Sequence, residues 1–186
     1  MNHAHTVVLV EGISDKSAIR ALAERRGRNL AAEGVRVVAM GGATNIGAYI
    51  GKYGPPGRNL RLAGLCDAGE EGAFRRGLER AGLGSDLGRS DLEALGFFVC
   101  VADLEDELIR ALGTAAVERV VDAEGELGSF RTLQKQPVWR GRSTHDQLRR
   151  FMGAGSGRKI RYSGPLVAAL ELDRVPRPLD GLLARL

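Results

Sequence analysis

The stretch LAGLCDAGEE, residues 62–71, is an apolar run that ends in Asp67 and passes at once into a glycine turn. A short apolar run bounded by turn residues is typical of a buried strand. Such a strand delivers an acidic side chain at the edge of a sheet, where a charge is unfavourable unless a partner stabilises it. The chain repeats this arrangement at two other places, and the three together indicate both a fold and a site.

Strand and helix patterns alternate up to about residue 113. Apolar, β-branched runs end near glycine or acid in HTVVLVEG (5–12), GVRVVAMGG (34–42), NLRLAGLCD (59–67) and GFFVCVADL (96–104), and a segment of helical spacing follows each run. Strands that are almost continuously apolar and alternate with helices are typical of a parallel sheet covered on both faces. We therefore predict a doubly wound α/β fold.

The pattern changes near residue 126. The sequence that follows is first polar, basic and rich in glycine and serine, and then reads as short amphipathic helices broken at Pro176 and Pro178. We predict an α/β domain over residues 5–126 and a small basic helical extension over residues 127–186 that packs on it.

Charge is segregated along the chain. The 186 residues carry a net charge of +4, but residues 67–126 hold fifteen Asp and Glu against six Arg, and residues 131–161 hold seven Arg and two Lys against one Asp. A basic segment beside an acidic site favours a nucleic-acid backbone as its partner, although a solvated surface loop is an open alternative. The candidate phosphate contacts are Lys135, Arg140, Arg142, Arg149, Arg150, Arg158 and Arg161.

Trp139 lies within this basic segment. Its indole either stacks on a base or packs in the core, and the sequence leaves both roles open.

Acidic side chains follow three of the predicted strands. The carboxyl ends of parallel strands meet at one edge of the sheet, so these side chains are expected to converge there. Each acid taken alone could instead cap a helix, but a group of like charges without compensation would raise the pKa of its members and destabilise the fold. A hard divalent cation such as Mg²⁺ or Mn²⁺ resolves this conflict. The acids are Glu11, Asp15, Asp67, Asp103 and Glu105.

Three motifs carry a resemblance to a known family. The sequences VEGISDKSAIRAL (10–22), LCDAGEE (65–71) and VADLEDELIRALG (101–113) resemble the TOPRIM domain shared by topoisomerases, primases and certain nucleases, in the form found in the OLD (overcoming lysogenization defect) nucleases. The resemblance covers roughly residues 5–113. The later segments GRKIRYS (157–163) and LVAALELDRVPRPLDGLL (166–183) are similar to the helical extension of that family.

The resemblance implies phosphodiester cleavage at two metal ions. It implies that Glu11 is a catalytic metal ligand, that Asp15, Asp67, Asp103 and Glu105 are further ligands, and that Lys159 lies near the scissile phosphate. One half of the metal cage would consist of Glu11, Asp67 and Glu70, and the other of Asp15, Asp103 and Glu105.

The sequence departs from the family pattern in two respects. Gly69 stands where the family has the second Asp of a D-x-D motif, so either Glu70 or Glu71 replaces it or one metal site is weakened. The ATPase domain that precedes this module in full-length OLD proteins is not in the sequence. An ATPase partner in trans is therefore an expectation, and the oligomeric state is not predicted.

The leading functional hypothesis is a DNA endonuclease or nickase that depends on Mg²⁺ or Mn²⁺. The alternative is a catalytically weak TOPRIM module that binds nucleic acid or regulates a partner. Topoisomerase or primase-type nucleotidyl transfer ranks below both, because Tyr49, Tyr53 and Tyr162 lie in no recognisable nucleophile motif. No apolar run approaches the roughly 20 residues that cross a bilayer, and the first residues lack a basic signal region, so we expect a cytoplasmic protein without a membrane partner.

Overall fold

A computed structural model describes residues 4–155 and 157–186. A parallel four-stranded sheet forms its centre, and its strands lie side by side in the order Val35–Ala39, Thr6–Val10, Arg61–Cys66 and Phe97–Val99. Each strand is followed by at least one helix, and the helices cover both faces of the sheet, which confirms the predicted doubly wound α/β fold. The strands are β1 (Thr6–Val10), β2 (Val35–Ala39), β3 (Arg61–Cys66) and β4 (Phe97–Val99).

The helices surround this sheet in chain order. Single 3₁₀ turns at Ala43–Asn45 and Ala68–Glu70 precede the second and third helix. The helices are α1 (Ile13–Arg25), α2 (Ile46–Tyr53), α3 (Glu71–Arg80), α4 (Arg89–Ala94), α5 (Leu104–Leu112), α6 (Thr114–Ala123), α7 (Leu127–Lys135), α8 (Thr144–Gly153), α9 (Arg158–Ala169) and α10 (Arg177–Arg185).

Alternation along β1 divides the apolar side chains between two cores. Val7 and Leu9 lie in the core formed with α2, α3 and α4, whereas Val8 and Val10 lie in a larger core formed with α1 and the helices from α5 onward. Both sets of side chains are fully buried, as expected for a strand between two covered faces.

The helices after residue 126 share the larger core with the sheet. Side chains of α7 to α10 pack in one cluster with β1, α1 and α5. The Arg25 guanidinium on α1 donates hydrogen bonds to the carbonyls of Val167 and Leu170, both at 2.7 Å. The predicted extension therefore packs on the α/β part, while its division from that part at residue 126 stays a prediction.

Residues 127–161 are mainly helical, because α7, α8 and the first turn of α9 occupy most of that range. The open alternative of a solvated surface loop therefore applies to only part of the basic segment. The predicted helix break at Pro178 is wrong, since Pro178 lies in the first turn of α10, where the amide N–H that proline lacks would have no partner within the helix. Pro165 lies inside α9.

The helices are short. In the described residues, none is both long and apolar enough to cross a membrane.

Candidate functional site

Glu11 is positioned where β1 ends. Its backbone carbonyl accepts hydrogen bonds from the amides of Gly41, at 3.0 Å, and Gly42, at 3.3 Å. Both glycines follow β2 and have positive φ values of 72° and 127°, which an L side chain rarely adopts. This glycine turn lets two amides converge on one carbonyl and fixes the backbone from which the Glu11 carboxylate projects.

Asp15 lies in the first turn of α1 and acts partly as a helix cap. Its Oδ2 accepts a hydrogen bond of 2.9 Å from the Gly12 amide. The pKa of Asp15 is nevertheless raised from 3.8 to about 6, first by burial and then by the charge of Glu105, against the lowering effects of Gly12 and Lys159. The capping alternative is thus correct for Asp15, but it does not compensate the burial of the charge.

Asp67 follows β3 and has no such partner. Its side chain makes no capping hydrogen bond to the turn that it precedes, and in the described part of the chain it forms no ion pair. The pKa of Asp67 is raised to about 7, first by burial and then by the charges of Asp15, Asp103 and Glu105, against the lowering effect of Lys159. Asp67 is therefore a carboxylate that lies among like charges and has neither a capping hydrogen bond nor an ion pair in the described residues.

Glu70 and Glu71 have different surroundings. Burial raises the pKa of Glu11, and the charge of Glu70 and its hydrogen-bonding contact with Glu11 are the next causes. Glu71 instead pairs with Arg89 at 2.6 Å. Of the two acids after Gly69, Glu70 is the one beside Glu11. Gly69 itself is exposed, and a Cβ added there would meet no atom within 4 Å.

Asp103 and Glu105 are held by hydrogen bonds and cations. The two Asp103 oxygens accept hydrogen bonds from the Asp106 amide at 2.8 Å and from the Arg149 guanidinium at 2.5 Å. Glu105 is 9% exposed and accepts a hydrogen bond of 2.8 Å from the Lys159 ammonium. Unlike Asp67, these two carboxylates are compensated.

The positive charge of Lys159 acts on most carboxylates of the site. Burial lowers the pKa of its ammonium, but the hydrogen bond to Glu105 and the charges of Asp103 and Asp67 outweigh that effect and leave the pKa raised. Lys159 also lowers the pKa values of Glu11, Asp15 and Asp67. Its charge stays positive at neutral pH and acts on carboxylates along the whole sheet edge, which is called the acidic edge below. This edge consists of Glu11, Asp15, Asp67, Glu70, Asp103 and Glu105.

Electrostatic repulsion connects the carboxylates along the sheet edge. The charges of Glu70 and Asp15 raise the pKa of Glu11, and the charges of Asp15, Asp103 and Glu105 raise the pKa of Asp67, so Asp15 acts on both. The division into two metal-binding halves stays a prediction. A cavity of about 470 Å³ opens over Glu11, Asp15 and Asp67.

The predicted nucleic-acid contacts fall into two classes. Arg158 pairs with Glu126 at 2.9 Å and lies over the Phe151 ring at 4.0 Å, and Arg161 pairs with Glu124 at 2.9 Å, so both of these guanidinium groups, like that of Arg149, have internal carboxylate partners. Within the described residues, no ion pair involves the remaining four, which are Lys135, Arg140, Arg142 and Arg150.

Sequence reasoning missed the contact between Arg149 and Asp103. The two residues are 46 positions apart, and no spacing or motif marks the pair. The only signal was the general basic character of the segment, which suggested a contact with nucleic acid instead.

The donor set is suitable for a divalent ion, although it is not closed around one. In the described part of the chain, no three His, Cys, Asp or Glu side chains are gathered closely enough to hold a metal ion as they stand. The donors are carboxylate oxygens alone, which hard ions prefer. Asp67, whose pKa is raised and which forms no ion pair with any residue that the structure describes, is the side chain that a cation would stabilise. The residues therefore fit Mg²⁺ or Mn²⁺ in chemistry, provided that the side chains draw together on binding.

Comparison with known proteins gives a family match for the first part of the chain. The model of the family "Overcoming lysogenization defect protein-like, TOPRIM domain" matches residues 3–53. TOPRIM domains in general bind Mg²⁺ and are associated with nucleic acids. A comparison with the curated proteins gives no match.

Two solved structures share this fold over almost the whole chain. The C-terminal region of the Burkholderia pseudomallei OLD protein is 23% identical, with a TM-score of 0.73, and the alignment covers 97% of this chain and 96% of that one. The C-terminal region of the Xanthomonas campestris pv. campestris OLD protein is 24% identical, with the same TM-score, over 97% of this chain and 91% of that one. The predicted resemblance to the TOPRIM domain of the OLD family is thereby confirmed.

The raised pKa of Asp67 predicts a stability that depends on pH. Its folded-state pKa of about 7 lies above the ordinary 3.8, so its contribution is fully present below about pH 4 and is lost as the pH rises through 7. We expect Asp67→Asn to raise the melting temperature of the metal-free protein more at pH 8 than at pH 5, measured by thermal denaturation in EDTA.

Asp173→Asn is the matched control, because Asp173 is exposed and, among the described residues, in no ion pair. Equal shifts for the two variants at both pH values would contradict the account of Asp67.

Proposed function

We propose that the protein is a metal-dependent DNA endonuclease or nickase that uses Mg²⁺ or Mn²⁺ to hydrolyse phosphodiester bonds. The observation that carries the proposal is Asp67, a partly buried carboxylate without a partner in the described chain, beside Asp15, Asp103 and Glu105. A structural acid is normally capped or paired, whereas a ligand is held ready for a cation.

The charge balance of the edge supports the same conclusion. In the described residues, only two ion pairs involve the six carboxylates of this edge, from Arg149 to Asp103 and from Lys159 to Glu105. The six are Glu11, Asp15, Asp67, Glu70, Asp103 and Glu105. An edge with this excess of negative charge repels a DNA backbone unless cations bind first. Divalent ions would supply that neutralisation and make a bound water more acidic.

The chain's own residues have distinct roles in this proposal. Glu11, Asp15, Asp67 and Glu70 are the ligands that need no ion pair broken, whereas Asp103 and Glu105 become ligands only if Arg149 and Lys159 release them. The structure therefore favours a first ion on the Glu11 side of the site, with a second dependent on the release of those cations.

Lys159 stabilises the reacting phosphate. Its side chain is 44% exposed and lines the cavity above the carboxylates, and its ammonium keeps its charge at neutral pH. A positive charge fixed at that place stabilises the negative charge that grows on the phosphate during hydrolysis.

A catalytically weak module that binds nucleic acid is the second candidate. Two observations favour it: Gly69 offers no carboxylate, and no three of the described side chains are closed around a metal position. The two candidates differ in whether plasmid is cut.

We expect the wild-type protein to nick or cut supercoiled plasmid with Mg²⁺ or Mn²⁺ and to leave it intact in EDTA. Glu11→Ala should abolish cleavage, because it removes a ligand, and should keep or raise the melting temperature in EDTA, because it removes repulsion with Glu70. Glu71→Ala is the matched control and should still cleave, since Glu71 pairs with Arg89. Cleavage by Glu11→Ala at the wild-type rate would overturn the role of Glu11, and an intact plasmid with the wild-type protein would favour the weak module.

Lys159→Ala should lower the cleavage rate at saturating DNA by roughly 100-fold or more and change DNA affinity little, by analogy with the loss of one donor to a developing oxyanion. Lys135→Ala, which removes an exposed charge from the end of α7, should instead weaken affinity and leave the saturated rate unchanged. Single-turnover cleavage and anisotropy titrations measure the two quantities. Equal losses of rate and affinity in Lys159→Ala would make Lys159 an ordinary backbone contact.

A further inference from the structure

A second cavity adjoins the acidic edge. Its volume is about 570 Å³, within the range of roughly 300–1,000 Å³ typical of small-molecule sites. Asp103, Glu105 and Lys159 form the wall toward the acidic edge, and Glu105 and Lys159 also line the cavity over Glu11 and Asp67. A ligand in this second cavity would therefore lie next to the position proposed for the scissile phosphate.

Part of the cavity lining is apolar. Trp139 and Val138 supply this part, and Val138 is 65% exposed. Trp139 is half-buried, because part of its ring packs against the larger core while the rest faces the cavity.

Hydrogen bonds from two helices fix the backbone of Trp139. Its carbonyl accepts a hydrogen bond of 2.9 Å from the Gln147 side chain on α8, and the Gln147 oxygen accepts one of 2.7 Å from Gln134 on α7. Gln147 is buried, with 6% of its surface exposed. These hydrogen bonds fix the backbone of Trp139, and packing of its side chain against the larger core restricts the ring, so the ring is held in place beside the cavity.

Arginines with no carboxylate partner stand beside this ring. Arg142 and Arg150 line the cavity, and within the described residues neither forms an ion pair. The Arg150 guanidinium carbon lies 6.0 Å from the centre of the Trp139 ring. Asp146, which also lines the cavity, accepts a hydrogen bond of 2.7 Å from the Ser143 hydroxyl. The guanidinium groups are thus available to an anionic ligand.

We propose that this cavity binds one unpaired nucleotide of a DNA single strand, with its base against Trp139 and Val138 and its phosphate on Arg142 and Arg150. An aromatic platform next to free guanidinium groups is the chemistry that binds single strands. The bases of a duplex are stacked on one another and reach such a platform only when they are extruded. The inference rests on the proposed nuclease function and adds to it a preference for substrates with an unpaired nucleotide at the cut.

Trp139 provides the direct readout, because it is the only tryptophan in the sequence. Its intrinsic fluorescence is measured during titration with a short oligothymidylate in EDTA, where no cleavage occurs. We expect saturable quenching by the single strand and little change with a blunt duplex at equal nucleotide concentration. Equal quenching by both, or quenching by neither, would overturn the proposal.

Variants test the same cavity through affinity, measured by anisotropy with a labelled oligothymidylate. Trp139→Ala should weaken binding roughly tenfold or more, as expected for the loss of one stacked base, and Trp139→Phe should restore part of it. Arg142→Ala and Arg150→Ala should each weaken binding more than Arg119→Ala, which removes one exposed charge from α6 outside the cavity. Because Trp139→Ala also removes packing, the arginine variants and Trp139→Phe decide the outcome if it does not fold. Equal effects of Arg119→Ala and the two cavity variants would contradict the site.

The two proposals fail in different ways. Tryptophan quenching without any cleavage in Mg²⁺ or Mn²⁺ would keep the nucleotide site and overturn the nuclease. Cleavage that the Trp139→Phe, Arg142→Ala and Arg150→Ala variants leave unchanged, with no quenching, would keep the nuclease and overturn the nucleotide site.

Discussion

Repulsion among carboxylates at one sheet edge is the constraint on which the rest of the site depends. Strands β1 and β3 each deliver an acid at this edge, and the first turns of α1 and α5 add others, so parallel strand order alone brings them together. Burial and mutual repulsion raise the pKa of Asp67 to about 7 and that of Asp15 to about 6. A fold that keeps such groups close needs positive charge there, and the chain supplies only part of it.

That part comes from the helices after residue 126. Arg149 on α8 neutralises Asp103, and Lys159 on α9 neutralises Glu105. The basic segment therefore has an internal role beside any contact with DNA, since Arg158 and Arg161 also pair with Glu126 and Glu124. Packing of α7 to α10 on the larger core sets the geometry of these pairs, which makes the extension a component of the site. Negative charge near Glu11 and Asp67 is left without a matching positive charge, and we propose that divalent ions neutralise it.

The sheet and its acidic edge could be predicted from the sequence because their signals are local: an apolar strand pattern and the acid that follows it. An apolar run such as 62–66 ends directly in Asp67, and parallel topology carries this local feature to the sheet edge. The pairs of Arg149 with Asp103 and Lys159 with Glu105 span 46 and 54 residues, so only packing of the helices determines them.

The capping hydrogen bonds of Asp15 and Asp103 are local too, but the sequence could not tell a cap from a ligand, because one carboxylate serves either role. The sequence predicted a helical extension but did not place α7 and α8 in it, because glycine, serine and charge conceal their apolar faces.

Titration of Mn²⁺ into the protein by calorimetry, in two buffers that differ in ionisation enthalpy, tests the central claim most directly. If the unmatched carboxylates are the ligands, binding at pH 6.5 must release protons from Asp67 and Asp15, and the release must diminish at pH 8.5, where both are already ionised. Asp67→Asn should lose most of the affinity. Binding without proton release at pH 6.5, or unchanged binding by Asp67→Asn, would contradict the account.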